Sequence, residues 1–78
     1  MSPYDLVAKA LDCDVGTLHE YSGLHSHPEW DSFGHLKIVI ALEQELQLVI
    51  DDDHILELTN MREVSAFWDK HEVNQGKE

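Results

Sequence analysis

The segment WDSFGHL, residues 30–36, leads directly into the longest apolar run of the chain, IVIAL at 38–42. Asp31 and Ser32 are both residue types that cap helix N-termini, so a helix should begin here. We predict that this central helix runs from about Ser32 to Leu48. The Ser32 hydroxyl would then lie at the positive end of the helix dipole, where an attached phosphate group is favoured.

The residues before this segment predict one helix and a long loop. SPYD at 2–5 combines a capping serine, a proline suited to the first helical position and an early acid, so a first helix should run from there to about Asp12. Residues 14–29 hold two glycines and one proline and show no sustained periodicity, which predicts a loop. One capped turn is expected at 17–20, where Thr and Glu have capping-box spacing.

The residues after the central helix predict a short helix and a longer final one. Val49 and Ile50 should close the core. The acidic run DDD at 51–53 is typical of a helix start and predicts a short helix over about 53–58.

NMRE at 60–63 has capping-box spacing and predicts a last helix that ends near His71, with residues 73–78 frayed. The whole chain, 1–78, is therefore expected to be a single all-α domain. Its architecture should be a four-helix bundle with a short third helix and a long first loop.

The central helix should have two apolar sides, because successive residues are about 100° apart around a helix. The side expected to face the core holds Ile38, Val39, Leu42 and Leu46. The sector of Ser32 holds Leu36, Ile40, Glu43 and Gln47. An apolar side without an internal partner is typical of an interaction surface. The alternative is that Leu36 and Ile40 pack beneath a loop.

Composition restricts the expected partners. The net charge is −11, from 16 acidic and 5 basic side chains. Nucleic acids and anionic membranes are disfavoured, because both are bound through clustered Lys and Arg. Basic patches on partner proteins fit this charge, although the acidity could equally serve only to keep the protein in solution. Cys13 is the only cysteine, and no segment resembles a signal peptide or is apolar over the length of a bilayer crossing. We therefore expect a cytoplasmic protein. We also expect it to be a monomer.

The triplet Asp31-Ser32-Phe33, together with Leu36 and the downstream ALEQEL at 41–46, resembles the acyl carrier protein family. The signature of that family is Asp-Ser-Leu at the start of a helix that ends in an Ala-Leu-Glu-Glu-like run. The family pattern aligns with this sequence without gaps from Asp31 to about Trp68, and more loosely over residues 1–29. The longer form WDSFGHL looks like a variant seen in small stand-alone carriers, and the resemblance implies the same four-helix architecture.

The resemblance also implies a function. Ser32 would be the attachment point for 4′-phosphopantetheine, which a separate phosphopantetheinyl transferase takes from coenzyme A with help from Asp31. The protein would not be an enzyme; acyl or aminoacyl groups would be held as thioesters on the thiol of the arm. Loading and transfer enzymes would meet the side formed by Phe33, Leu36, Ile40 and Glu43. Phe33 in place of leucine, with His35 and Lys37 nearby, favours a specialised biosynthetic pathway over fatty-acid synthesis.

Three neighbours of Ser32 have interpretations of their own. Trp30 should anchor the end of the loop on the bundle. His35 should project toward the core and hydrogen-bond the loop near Trp30, so it is a poor candidate for a base beside Ser32. Gly34 would be explained by a close approach of the arm or of a partner enzyme, or else by the low cost of glycine in a first turn.

Two other functions remain open at this point. The chain could be a helical interaction module that is never modified, with Ser32 a plain helix cap. Alternatively, His25 and His27, with Glu29 or Asp31, could bind Zn²⁺ or Ni²⁺. Ordinary loop histidines are the simpler explanation of the latter pattern.

Overall fold

The chain folds into helices connected by one long and several short segments. A computed structural model describes residues 2–75, and only the backbone of 73–75. Over this range the helices are α1 (Pro3–Leu11), α2 (Ser32–Leu46), α3 (Asp52–Glu57) and α4 (Met61–Gln75), with a 3₁₀ turn at Val15–Thr17. The described part contains no β-strand, and the all-α prediction is confirmed. A single antiparallel bridge joins Gly23 to Asn60.

Capping residues set the helix starts that the sequence predicts. Ser2 caps α1 with a reciprocal capping box to Asp5, at 3.2 and 3.3 Å. Asp31 caps α2, and Asp51 caps α3. Before α4, the Asn60 side chain accepts the Glu63 N–H at 2.9 Å. Each cap satisfies a backbone donor that the first helical turn leaves unpaired.

Some boundaries differ from the prediction. The turn in the first loop lies at Val15–Thr17 and is capped by Asp14, so the expected box at 17–20 is wrong. Helix α2 ends at Leu46 rather than Leu48, because Gln47 adopts a left-handed conformation with φ 55°. Helix α4 continues past His71 to Gln75. Residues 76–78 of the expected frayed tail lie outside the described residues.

The core lies between α1, α2 and α4. All four residues predicted for the core side of α2 are buried, which confirms that prediction: Ile38, Val39, Leu42 and Leu46. They pack with apolar residues of the other two helices, among them Val7, Met61 and Val64. Ile50 closes the core as expected, whereas Val49 is 89% exposed and does not.

The first loop is tied to the start of α4. The Met61 and Arg62 N–H groups donate to the Ser22 and Glu20 carbonyls at 2.8 and 3.0 Å, and the Leu24 N–H donates to Thr59 at 2.8 Å. The loop thus supplies acceptors for the first two amides of α4, which a helix cannot pair by itself. This arrangement fixes the middle of the loop on the start of α4. The same part of the loop also contacts its Trp30 end, because the His25 N–H donates to the Trp30 carbonyl at 2.8 Å.

Within residues 2–75, no helix combines the length and the hydropathy that a bilayer crossing requires.

Helix α3 begins with a paired carboxylate and imidazole. Asp51 Oδ1 accepts the backbone N–H of His54 at 2.9 Å and its ring Nδ1–H at 2.7 Å. The hydrogen bond from the ring, helped by the charge of Asp51, raises the pKa of His54 above its ordinary value of 6.5. The backbone N–H of His54, followed by its ring, lowers the pKa of Asp51 below 3.8.

This pair should make the stability of the fold depend on pH. Because the folded pKa of His54 is raised, its contribution is present below the unfolded pKa and is lost as pH rises through the folded pKa. The contribution of Asp51, whose pKa is lowered, is present above its unfolded pKa and is lost as pH falls through the folded one. The pair should therefore stabilise the fold most between the ordinary values of 3.8 and 6.5.

Urea unfolding of the native protein and of His54→Gln checks this expectation. The stability difference between the two should be larger at about pH 5.5 than at about pH 8.5. In Asp51→Asn, the NMR-titrated pKa of His54 should fall toward its ordinary value. An unchanged His54 titration in Asp51→Asn would show that the pair does not form in solution.

Candidate functional site

Ser32 is the first residue of α2 and is exposed to solvent. The preceding Asp31 is in the extended region at φ −102°, and its Oδ1 accepts the Gly34 N–H at 2.8 Å. The Asp31 carbonyl accepts the His35 N–H at 2.8 Å. Asp31 is itself exposed, so its carboxylate caps the helix and remains accessible to another molecule.

Trp30 and His35 hold the end of the loop against α2 and α3. Trp30 is fully buried, and its indole N–H donates to His35 Nδ1 at 3.1 Å. Because an indole nitrogen only donates, His35 carries its proton on Nε2, which donates to the Ile55 carbonyl at 2.8 Å. The predictions for Trp30 and His35 are confirmed. Both ring nitrogens of His35 are engaged here, so neither is available as a base for Ser32.

Gly34 is explained by a close contact within the fold. A Cβ at this position would lie 2.5 Å from the Glu29 carbonyl oxygen and 2.8 Å from Leu11 Cδ2. Glycine therefore lets the loop backbone and α1 pack directly on the first turn of α2. This internal contact is not among the two explanations offered from the sequence, the external approach and the low cost of the position, which both stay untested.

One side of α2 exposes large apolar residues beside Ser32. Phe33 is 68% exposed, and Leu36 and Ile40 are each 53% exposed. We call these three residues the exposed stripe of α2. The alternative in which Leu36 and Ile40 pack beneath a loop is therefore wrong. The Lys37 ammonium lies over the Phe33 ring, 4.7 Å from its centroid, and places a positive charge next to the stripe.

Glu43 has an internal role that the sequence did not indicate. Its carboxylate is half-buried and accepts the Ile50 N–H at 2.9 Å. This bond holds the segment between α2 and α3 against the helix. Glu43 lies in the last turn of α2 and Ile50 in the segment that follows the helix, seven residues later. No local sequence motif predicts a hydrogen bond between two such positions.

His27 is a structural part of the loop. It is buried, its Nδ1 accepts the Glu29 N–H at 3.1 Å, and its Nε2 lies 3.0 Å from Thr17 Oγ1. The Thr17 hydroxyl donates to the Asp14 carbonyl at 2.7 Å, so it accepts from Nε2–H. Both ring nitrogens are therefore occupied by the protein itself.

His25 is exposed and in a left-handed conformation, with φ 67°. No group of three or more His, Cys, Asp or Glu side chains in the described part of the chain is arranged to hold a metal ion. The arrangement thus gives no support to the metal-binding hypothesis for His25 and His27.

Comparison with known proteins assigns no family: no protein-family model matches the chain, and no curated protein is significantly similar to it. Interpretation of the site therefore depends on its sequence motif and its geometry.

Replacing Gly34 by alanine should destabilise the fold. Overpacking a rigid site costs about 1–3 kcal/mol, which exceeds the gain of roughly 0.5–1 kcal/mol in helix propensity. We expect a net loss of about 1 kcal/mol in urea unfolding. Gly16→Ala is the matched control, because a Cβ there meets only Asp14 Oδ1, at 3.4 Å. Equal stability of the two variants would contradict the close approach at Gly34.

Proposed function

We propose that this protein is a stand-alone acyl carrier protein in which Ser32 carries 4′-phosphopantetheine. The observation that carries the proposal is the exposed position of Ser32 at the start of α2, directly after the capping Asp31. A modifying enzyme must reach the hydroxyl, and the modified serine must remain compatible with the fold. An exposed first helical position satisfies both requirements.

A phosphodiester fits this position electrostatically without being strongly bound. The helix N-terminus favours an exposed anion by about 0.3–1 kcal/mol. The neighbouring Asp31 carboxylate opposes it by a similar amount, since two exposed charges a few ångströms apart in water interact by about 1 kcal/mol. The Lys37 ammonium, held over the ring of Phe33, places a positive charge near the same end of α2. These small and opposing contributions are compatible with a phosphodiester attached to Ser32. They are too weak to hold a free phosphate group, so the proposed attachment is covalent.

In the proposed function the residues have distinct roles. The Ser32 oxygen forms a bond to the pantetheine-bearing phosphorus of coenzyme A and loses its proton. The pyrophosphate bond of coenzyme A breaks, and adenosine 3′,5′-bisphosphate leaves. Asp31 assists the phosphopantetheinyl transferase at this step. The attached group supplies the thiol that holds acyl or aminoacyl intermediates as thioesters. Chemistry is performed by loading and transfer enzymes, so the protein itself is a carrier and not an enzyme. The departures at Phe33 and Lys37 favour a specialised biosynthetic pathway.

The architecture supports the same proposal. Helix α3 is six residues long, and residues 12–31 form a long segment whose regular structure is the turn at Val15–Thr17. The resemblance implies this four-helix arrangement, with a short third helix and a long first loop leading to the serine. We further propose that the protein acts as a cytoplasmic monomer, a setting that suits its single cysteine.

The exposed stripe supplies a surface for partner enzymes. Phe33, Leu36 and Ile40 follow Ser32 along one side of α2, so an enzyme that docks on them would have Ser32 within reach. Glu43 extends the same side but is partly committed to Ile50. Its contribution to docking is therefore limited to the charge that remains accessible.

The exposed stripe also favours a second candidate, an interaction module that is never modified. Such a module would use the same apolar residues to bind a partner helix or groove, with Ser32 only starting the helix. Modification of Ser32 distinguishes the two functions.

Incubation with coenzyme A, Mg²⁺ and a broad-specificity phosphopantetheinyl transferase should add one phosphopantetheine, measured by intact-protein mass spectrometry. Ser32→Ala should fold normally and remain unmodified. Ser2→Ala is the matched control, because Ser2 also lies at a helix start but outside the motif. Failure to modify the folded native protein, or modification of Ser32→Ala, would reject the carrier function in favour of the interaction module.

A test of the role of Glu43 in partner encounter requires a variant that keeps its hydrogen bond to the Ile50 N–H. Glu43→Gln removes the charge while its amide oxygen can still accept the Ile50 N–H; Glu43→Lys would lose both. We expect Glu43→Gln to lower the transferase kcat/KM by about twofold to fivefold at low salt. Glu45→Gln changes the same charge on another side of α2. Equal losses in both variants would point to net charge rather than to this surface.

A further inference from the structure

A shallow groove of about 410 Å³ runs along the surface between α1 and α2. Its floor is mostly apolar and is formed by Leu6, Ala10, Ile40 and Ala41. We call it the α1–α2 groove. The two alanines leave space between the helices, and Ile40 presents a half-exposed side chain to it. The volume lies within the range of about 300–1,000 Å³ found for small-molecule sites.

The groove is electrically asymmetric along its length. Helices α1 and α2 are antiparallel here, because Leu11 near the end of α1 lies against Gly34 near the start of α2. Lys9 and Lys37 are each within three residues of that contact, so both line the same end of the groove. Glu45 lines it two turns further along α2, about 12 Å from Lys37 along the helix axis.

The end of the groove that Lys9 and Lys37 line is unusually basic for this acidic chain. The protein has 5 basic side chains in 78 residues and a net charge of −11, yet two of the five line this groove. Both lysines are exposed. The Lys37 ammonium is held over the Phe33 ring, which keeps it at the Ser32 end of the groove.

From this geometry we infer that the α1–α2 groove binds a medium-chain alkyl carboxylate. The carboxylate lies between the Lys9 and Lys37 ammonium groups, and the chain follows the apolar floor toward Glu45. An extended alkyl chain advances about 1.3 Å per carbon, so a run of about 12 Å accommodates about ten carbons. A cationic amphiphile in the same orientation would place its positive charge against the two lysines, which repel it. It would otherwise have to bind in the opposite orientation along the groove. The site does not require modification of Ser32.

Titration of the ¹⁵N-labelled unmodified protein with sodium decanoate below its micelle concentration tests the inference. Saturable shifts are expected at the backbone amides of Leu6, Ala10, Ile40 and Ala41. Decyltrimethylammonium should bind about tenfold more weakly, since two exposed ion pairs are worth up to about that factor. Equal affinity for the two amphiphiles, shifts centred on α3 and α4, or no saturable binding would each overturn the inference.

Two double variants and one single variant locate the site. Lys9→Gln combined with Lys37→Gln should weaken decanoate binding about tenfold. Arg62→Gln combined with Lys70→Gln removes the same charge from α4 and should leave the affinity unchanged. Ala41→Phe should block the floor. The replaced lysines are exposed, so we expect the double variants to keep the fold. Equal decanoate affinity in the two double variants would then place the ligand elsewhere, whether or not Ala41→Phe folds.

Discussion

The buried hydrogen bond from Trp30 to His35 and the partly buried one from His35 to the Ile55 carbonyl connect three separate parts of the molecule. They tie the end of the first loop to α2, and α2 to α3. A buried polar group left without its partner costs about 1–3 kcal/mol, so loss of any one member would leave an unpaired donor or acceptor inside the protein. The tautomer of His35 is fixed by this arrangement, because the indole can only donate. The start of α2 is therefore held from both sides.

The same bonds explain most of the segment that resembles the carrier family. Within WDSFGHL, the tryptophan and histidine form the internal pair, and Gly34 admits the Glu29 carbonyl. Asp31 caps the helix. Ser32, Phe33 and Leu36 are left exposed. Trp30, Gly34 and His35 thus support the start of α2 from beneath, whereas Phe33, which also departs from the usual family pattern, is exposed beside Ser32.

Local signals in the sequence predicted most of the helices correctly. Caps at Ser2, Asp31 and Asn60 act through backbone groups three residues away, so their effect can be read from short motifs. The core side of α2 followed from helical periodicity for the same reason.

Contacts between distant residues could not be predicted in this way. The close approach at Gly34 and the bond from Ile50 to Glu43 depend on how elements pack. The hydrogen bond of His27 Nε2 is made to Thr17, ten residues away. The exposure of the stripe beside Ser32 was one of two open possibilities until the surrounding chain was in place. Of the two loop histidines considered for metal binding, His27 is engaged by hydrogen bonds within the protein, whereas His25 is exposed.

The contacts between the first loop and the start of α4 have a consequence for the order of folding. They join backbone groups about forty residues apart in the sequence. Small helical proteins usually fold quickly because their contacts are local, and closing a long stretch of chain carries an entropic penalty. The first turn of α4 can acquire its full set of acceptors only after the loop has docked. Residues synthesised well before α4 thus complete its first turn, and we expect this turn to become fully hydrogen-bonded late in folding.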